Sequence, residues 1–323
     1  MIRVGWILCT LALVVVMYGL GEWTNKDEII FPEVAALAIG SWIYSNQEWT
    51  KNHFHFWFSP TIAAIIGVGI QFIFPFMQTL PLIIIVYVLT ANMLYVLNSL
   101  VAPSLSAALL PVLLEVNSWY YVLSVLSFTI IIALVKVITN NHKSDSSITK
   151  ESSLKPKKRN WVRIEDIIHW SFTGILLIFV SLLATKTGWL YLMAPPLIVM
   201  LFEFTKKNSV LSKKPIRLIA LMFVSSLWGV ICYVFLYQIF HMPLWIVASL
   251  IVFTIIFIFR IIQLPFPPAA AISLLPTIIH LQNVWFYPLQ ILLGVSLFVF
   301  SGVFYHKRFN TLYEFESDVN SGI

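Results

Sequence analysis

The sequence predicts an all-α, polytopic transmembrane helical bundle made of two tandem six-helix repeats. Three observations predict it. Hydrophobic residues make up 59% of 323 positions and charged residues 11%, at a mean hydropathy of +0.89, which is more apolar than a water-exposed surface tolerates. Apolar runs follow one another almost without pause, and a bilayer core takes roughly 20 such residues per helical span. The runs also fall into two sets of six, one on each side of a polar stretch. A transmembrane β-barrel would alternate with period 2 over segments of about 10 residues, whereas residues 82–88 are apolar on every face.

In chain order, the first set covers about 4–21, 29–45, 57–77, 79–100, 102–116 and 118–138, and the second about 166–185, 189–205, 216–240, 243–264, 266–281 and 285–305. The organisation is a first repeat over 1–139, a linker over 140–163, a second repeat over 164–306 and a polar tail over 307–323. The linker carries Lys143, Lys150, Lys155, Lys157, Lys158, Arg159 and Arg163 against Asp145 and Glu151, the composition of a solvated segment. The apolar run after Arg3 has no small-residue cleavage site behind it, and its counterpart lies in mid-chain, so it is expected to be a span rather than a signal peptide.

Residues line up between the two sets, as an internal duplication requires. The fifth segments contain two prolines eight apart, Pro103 with Pro111 and Pro268 with Pro276. Just beyond, Asn117-Ser118-Trp119-Tyr120-Tyr121 matches Asn283-Val284-Trp285-Phe286-Tyr287, which puts an aromatic interface anchor at the start of both sixth segments. Pro32-Glu33 faces Pro195-Pro196 in the second segments, and Gly67-Val68 faces Gly229-Val230 in the third.

Charge sets the expected orientation. Basic residues concentrate in the linker, in the loop with Lys206, Lys207, Lys213, Lys214 and Arg217, and at Lys307-Arg308, whereas residues 22–28 carry more acid than base. Basic loops stay in the cytoplasm, so the linker and both termini are expected there, in a cell membrane. The net charge of +6 is thus a topology signal and not a nucleic-acid footprint, because the basic residues do not interleave with exposed aromatics. Cys9 and Cys232 lie inside apolar runs, with neither metal-ligand spacing nor an evident disulfide. His169, His241 and His280 share no ligand spacing, and His53 with His55 is a weak pair, so no metal or cofactor is expected. No nucleophile elbow, P-loop, dinucleotide fingerprint or zinc-protease helix is present, so nothing argues for an enzyme.

Two segments in each set are short and begin at proline: Pro32, Pro103, Pro195 with Pro196, and Pro267 with Pro268. Proline is cheap in a first helical turn, which by itself explains a helix start. About 15 residues, however, span only roughly 22 Å of a roughly 30 Å core. Their N-termini are then expected within the membrane, facing a cavity that takes an anionic group, as half-helices do in secondary transporters. Within each set the long-short-long pattern repeats, so the two trios would be inverted and aim their short helices at one centre. The candidate substrate site comprises Pro32, Glu33, Asn98, Pro103, Ser104, Ser106, Pro195, Pro196, Gln263, Pro267 and Pro268. Glu33 reads either as an interfacial carboxylate at a helix N-terminus or as a proton-coupling group. Asn98 and Gln263 stand five residues before Pro103 and Pro268 and are expected to line the approach or to bond helix to helix. Asn92 is expected to be a packing amide, and Glu203 and Arg260 to snorkel.

The stretch Gln263-Leu264-Pro265-Phe266-Pro267-Pro268-Ala269-Ala270-Ala271 resembles the signature of the HPP family of integral membrane proteins, His-Pro-Pro-Ala-Gly-Ala before an apolar helix. Phe266 and Val101 occupy the place of the signature histidine in the two repeats. The resemblance implies a transporter fold and, through the family's association with nitrite transport, a small anion as solute. The partners expected are therefore the lipid bilayer and a small solute. A non-transporting membrane scaffold or assembly factor is the other reading, and a flux measurement separates the two.

Overall fold

Lipid offers no partner for backbone N–H and C=O groups, so an apolar run that enters a membrane must satisfy them within itself as a helix. A computed structural model describes residues 4–44, 48–50, 52–144, 164–206, 209–279 and 283–321, and all the regular structure among them is helical. In the first half run α1 (Val4–Thr24), α2 (Glu33–Ala38, continued by a π-helical turn Ile39–Ile43), α3 (His53–Ile73), α4 (Thr79–Val96), α5 (Pro103–Leu113) and α6 (Trp119–Ser144). In the second run α7 (Ile164–Thr187), α8 (Pro195–Thr205), α9 (Pro215–Cys232, continued by a π-helical turn Tyr233–Ile239) and α10 (Leu244–Ile262). These are followed by α11 (Pro268–Leu274, ending in a 3₁₀ turn Leu275–Thr277) and α12 (Tyr287–Ser321, after a 3₁₀ turn Val284–Phe286). Each of the twelve apolar segments corresponds to one of these helices. Helix α12 continues through Ser321, so the stretch expected as a separate polar tail is helical over most of its length. The basic linker lies outside the described residues beyond Ser144.

Eight of the helices are long and apolar enough to cross a membrane, and they carry apolar side chains on their outer faces, such as Phe179, Phe253, Phe257 and Phe300. A water-soluble protein does not present such a surface. The other four, α2, α5, α8 and α11, form the centre. Every residue of α2, α5 and α11 is buried, and so is all of α8 except Glu203.

The short helices pass through the depth of the bundle. Beside α6, the carbonyl of Ile29 accepts from Ser124, Trp42 donates to the carbonyl of Ile132 (3.2 Å), and Lys136 donates to the carbonyl of Thr50 (2.8 Å). The chain from 29 to 50 therefore runs parallel to α6 from one end toward the other. Helix α8 does the same beside α12: Gln290 accepts from the Tyr191 amide (3.0 Å), and His306 bonds the carbonyl of Phe204 (2.8 Å). Helix α5 runs parallel to α3, with Ser59 bonded to Ser99 (2.8 Å) near one end and Gln71 to the carbonyl of Pro111 (3.2 Å) near the other.

The second proline of each pair leaves a hydrogen-bond problem, which the following long helix solves. Pro111 has no N–H for the carbonyl of Ala107 four residues earlier, and Pro276 has none for Ile272. The hydroxyl of Tyr121 on α6 donates to the carbonyl of Ala107 (2.9 Å), and that of Tyr287 on α12 donates to the carbonyl of Ile272 (2.8 Å). Glycine supplies the close approach on the other side. A Cβ on Gly67 would strike the carbonyl oxygen of Ala108, and one on Gly229 would strike that of Ser273. Ala108 and Ser273 each lie five residues after the proline that starts their helix.

Contacts between the two halves are reciprocal. Helix α1 packs on α10 and α4 on α7, while α2 packs on α11 and α5 on α8. Glu22 of α1 accepts from the first amide of α10, Leu244 (2.5 Å), and Tyr87 of α4 bonds Thr173 of α7 (2.6 Å). The His306 bond to Phe204 and the bond between His169 and Thr205 (2.9 Å) bring the start of α7, the end of α8 and the basic end of α12 to one face. Asp27, Glu28 and Glu115 lie at the other.

Candidate functional site

Proline at an N-terminal turn fixes where each central helix begins. Pro103, Pro195 and Pro268 are the first residues of α5, α8 and α11, with Pro196 second in α8, while Pro32 and Pro267 cap α2 and α11. All six are buried. Neither of the two cavities described below is lined by these prolines.

One polar contact lies inside that packing. Glu33, the first residue of α2, is 2% exposed, and its Oε1 accepts a hydrogen bond from the hydroxyl of Ser106 on α5. This contact joins the N-terminal turns of two short helices that run in opposite directions. The other carboxylate oxygen, Oε2, is buried without a partner, and so is the hydroxyl of Ser104. An uncompensated buried polar group costs about 1–3 kcal/mol, and more when charged, so the site is expensive for the fold. Around it, the phenols of Tyr18, Tyr121 and Tyr287 lie within electrostatic reach of Glu33. Each of these hydroxyls is engaged elsewhere: Tyr18 with Thr277 (2.8 Å), and the other two with the proline-orphaned carbonyls.

Other predicted residues are placed differently. Asn98 and Gln263 are exposed, with φ of 49° and 55°. They end α4 and α10 in the left-handed conformation that closes many helices and turn the chain toward α5 and α11, so they do not line the buried centre. Asn92 is exposed, bonds its own helix at Val88 (2.8 Å), and borders a lateral groove rather than packing in the core. Glu203 pairs with Lys206 (2.8 Å), and Arg260 is exposed. His280 lies outside the described residues. No group of three or more His, Cys, Asp or Glu able to hold a metal occurs among the described residues.

Two cavities flank the centre. A groove of about 570 Å³ opens between α4 and α7, lined by apolar residues together with Tyr87, Asn92, Tyr95 and Trp170. A vestibule of about 410 Å³ opens at the face opposite the basic one, with Asp27, Glu28 and Glu115 in its walls and Ile30, Tyr121, Tyr191 and Ile278 among its apolar lining. Tyr121 belongs both to this vestibule and to the ring around Glu33, which places the buried carboxylate close beneath the vestibule. Sequence reasoning missed the vestibule because its walls come from four separate loops.

Apolar outer faces, eight spanning helices and an occluded polar centre define a polytopic helical membrane protein. Residues 157–313 match the family model described as HPP, transmembrane region, so the second half of this chain is similar to the transmembrane region of HPP membrane proteins. No curated protein and no solved structure matches it.

Proposed function

We propose that this protein is a membrane transporter for a small solute, built by tandem duplication of a six-helix unit, with the solute path running from the vestibule to the centre formed by α2, α5, α8 and α11. The observation that carries the reading is the Glu33–Ser106 contact between oppositely directed short helices, close beneath the vestibule of about 410 Å³. Intramembrane carboxylates are rare and mark ion or solute pathways, and broken or short helices meeting at mid-depth are how secondary transporters build such sites. Duplication is supported by the paired contacts: two tyrosines on two proline-orphaned carbonyls, two glycines against two short helices, and the reciprocal packing of the halves. The solute class, a small anion with nitrite as the leading case, rests on the HPP resemblance. The basic face is assigned to the cytoplasm by the positive-inside rule, in a cell membrane with both termini inside.

The test is flux. Purified protein in liposomes is expected to give saturable uptake of at least one member of a panel of nitrite, nitrate, formate and small organic acids, above protein-free liposomes. The closed packing at the centre favours the scaffold reading as the one competitor. Silence across the panel from folded, inserted protein would select it.

A further inference from the structure

We propose that the Glu33–Ser106 pair is a proton-binding site, one per molecule, and that its protonation is coupled to solute movement; the coupling, though not the site, rests on the transport reading above. The first support is that the fold does not need the pair. The places matching Glu33, Ser104 and Ser106 in the second half hold Pro196, Ala269 and Ala271, and there the matching pair of short helices, α8 and α11, packs together without a carboxylate or a hydroxyl at those places. A buried ionisable group that the equivalent half dispenses with has no packing reason to be there.

The second support is the company Glu33 keeps. Helix α2 packs against α1, α5, α6 and α11. Among the described residues, the titratable or charged groups on the buried faces of these elements are Tyr18 of α1 and Tyr121 and Lys136 of α6, since α5 and α11 carry none. Tyr287 of α12 also lies within electrostatic reach. The three phenols are committed to other acceptors, and Lys136 is committed to the carbonyl of Thr50, beyond the far end of α2. Among the described residues no cation offsets the charge; Ser106 satisfies one oxygen only, and Oε2 has no hydrogen-bond partner. A proton on this oxygen converts the carboxylate into a neutral acid with one donor.

The third support is the route. The vestibule, with Asp27, Glu28 and Glu115 in its walls, reaches Tyr121, whose ring packs edge-on against Phe31 (5.7 Å), two residues before Glu33. The step balances simply: the carboxylate takes one proton from vestibule water and later returns it to water on the other side, with no bond otherwise made or broken. Coupling follows from charge. An anion entering this core meets a carboxylate, and it binds best when that carboxylate is neutral. Binding of proton and anion then favour each other reciprocally.

Infrared difference spectroscopy of the full chain in lipid tests the site without requiring transport. The wild type is expected to show a protonated-carboxyl stretch on acidification that is missing in Glu33→Gln, and Ser106→Ala is expected to move the pH at which that band appears. If Glu33→Gln does not fold, the Ser106→Ala shift carries the test. In liposomes, an inward proton gradient is expected to raise nitrate uptake by the wild type and to lose that effect in Glu33→Gln. A band unchanged by both variants, or gradient-driven uptake undiminished in folded Glu33→Gln, would overturn the proposal. The band present with no solute flux in the wild type would end the transport reading and leave the proton site standing.

Discussion

Glu33 and Ser106 stand 73 positions apart, and nothing local in the sequence announces that they meet. Glu33 was legible as an unusual intramembrane carboxylate, and Ser106 as a hydroxyl in a short helix. Their pairing depends on the packing of α2 against α5, which no periodicity reports. Asn98 and Gln263 show the opposite failure. Their matched positions before the prolines were legible, but the backbone explains the match: both adopt left-handed φ to turn the chain, and polarity there suits an exposed turn. The glycines are the clearest residue-level constraints. Gly67→Ala and Gly229→Ala each drive a methyl into the backbone of the facing short helix, and overpacking of this kind costs typically about 1–3 kcal/mol. Both are expected to lower the melting temperature of the detergent-solubilised protein. Gly69→Ala, whose added methyl meets nothing within 4 Å, is the matched control and is expected to leave it unchanged or slightly raised, since alanine is the better helix former.

The element boundaries were largely legible because apolar run length and leading proline are strong local signals. What those signals could not convey was why the second proline of each pair is tolerated inside a buried helix. The tyrosine hydroxyls from α6 and α12 take the place of the missing amides, a long-range answer to a local defect. The clue was present in the sequence: each pair of prolines eight apart is followed by an aromatic cluster ending in tyrosine. The role of interface anchor fits the exposed Trp119 and Trp285 of these clusters but not the buried Tyr121 and Tyr287. The account makes a double-mutant prediction. Tyr121→Phe should destabilise the protein by about 0.5–1.5 kcal/mol, the net worth of a buried hydrogen bond, or more if the carbonyl is left unsatisfied. Pro111→Ala restores an amide to the Ala107 carbonyl, so the cost of Tyr121→Phe should shrink in that background. Thermal or denaturant unfolding of the four proteins measures the coupling, and strict additivity would show that the hydroxyl does not serve the proline.

For the whole molecule, hydropathy and the positive residues carried the class and the relative sidedness. The fold then brings the basic ends of α8 and α12 and the start of α7 to one face, and Asp27, Glu28 and Glu115 to the other. The vestibule was not legible, because a cavity is a property of loops brought together by helix packing rather than of any one segment. It is also where the transport account is most exposed to test. In a background with Cys9 and Cys232 replaced, Glu28→Cys puts a thiol in the vestibule wall, and Lys213→Cys puts one on the basic face. A bulky, membrane-impermeant thiol reagent added outside intact cells should modify Glu28→Cys, leave Lys213→Cys untouched, and abolish saturable solute uptake through the modified variant. Complete modification of Glu28→Cys with uptake undiminished would contradict a path through the vestibule to the Glu33 centre, and modification of Lys213→Cys from outside would contradict the orientation.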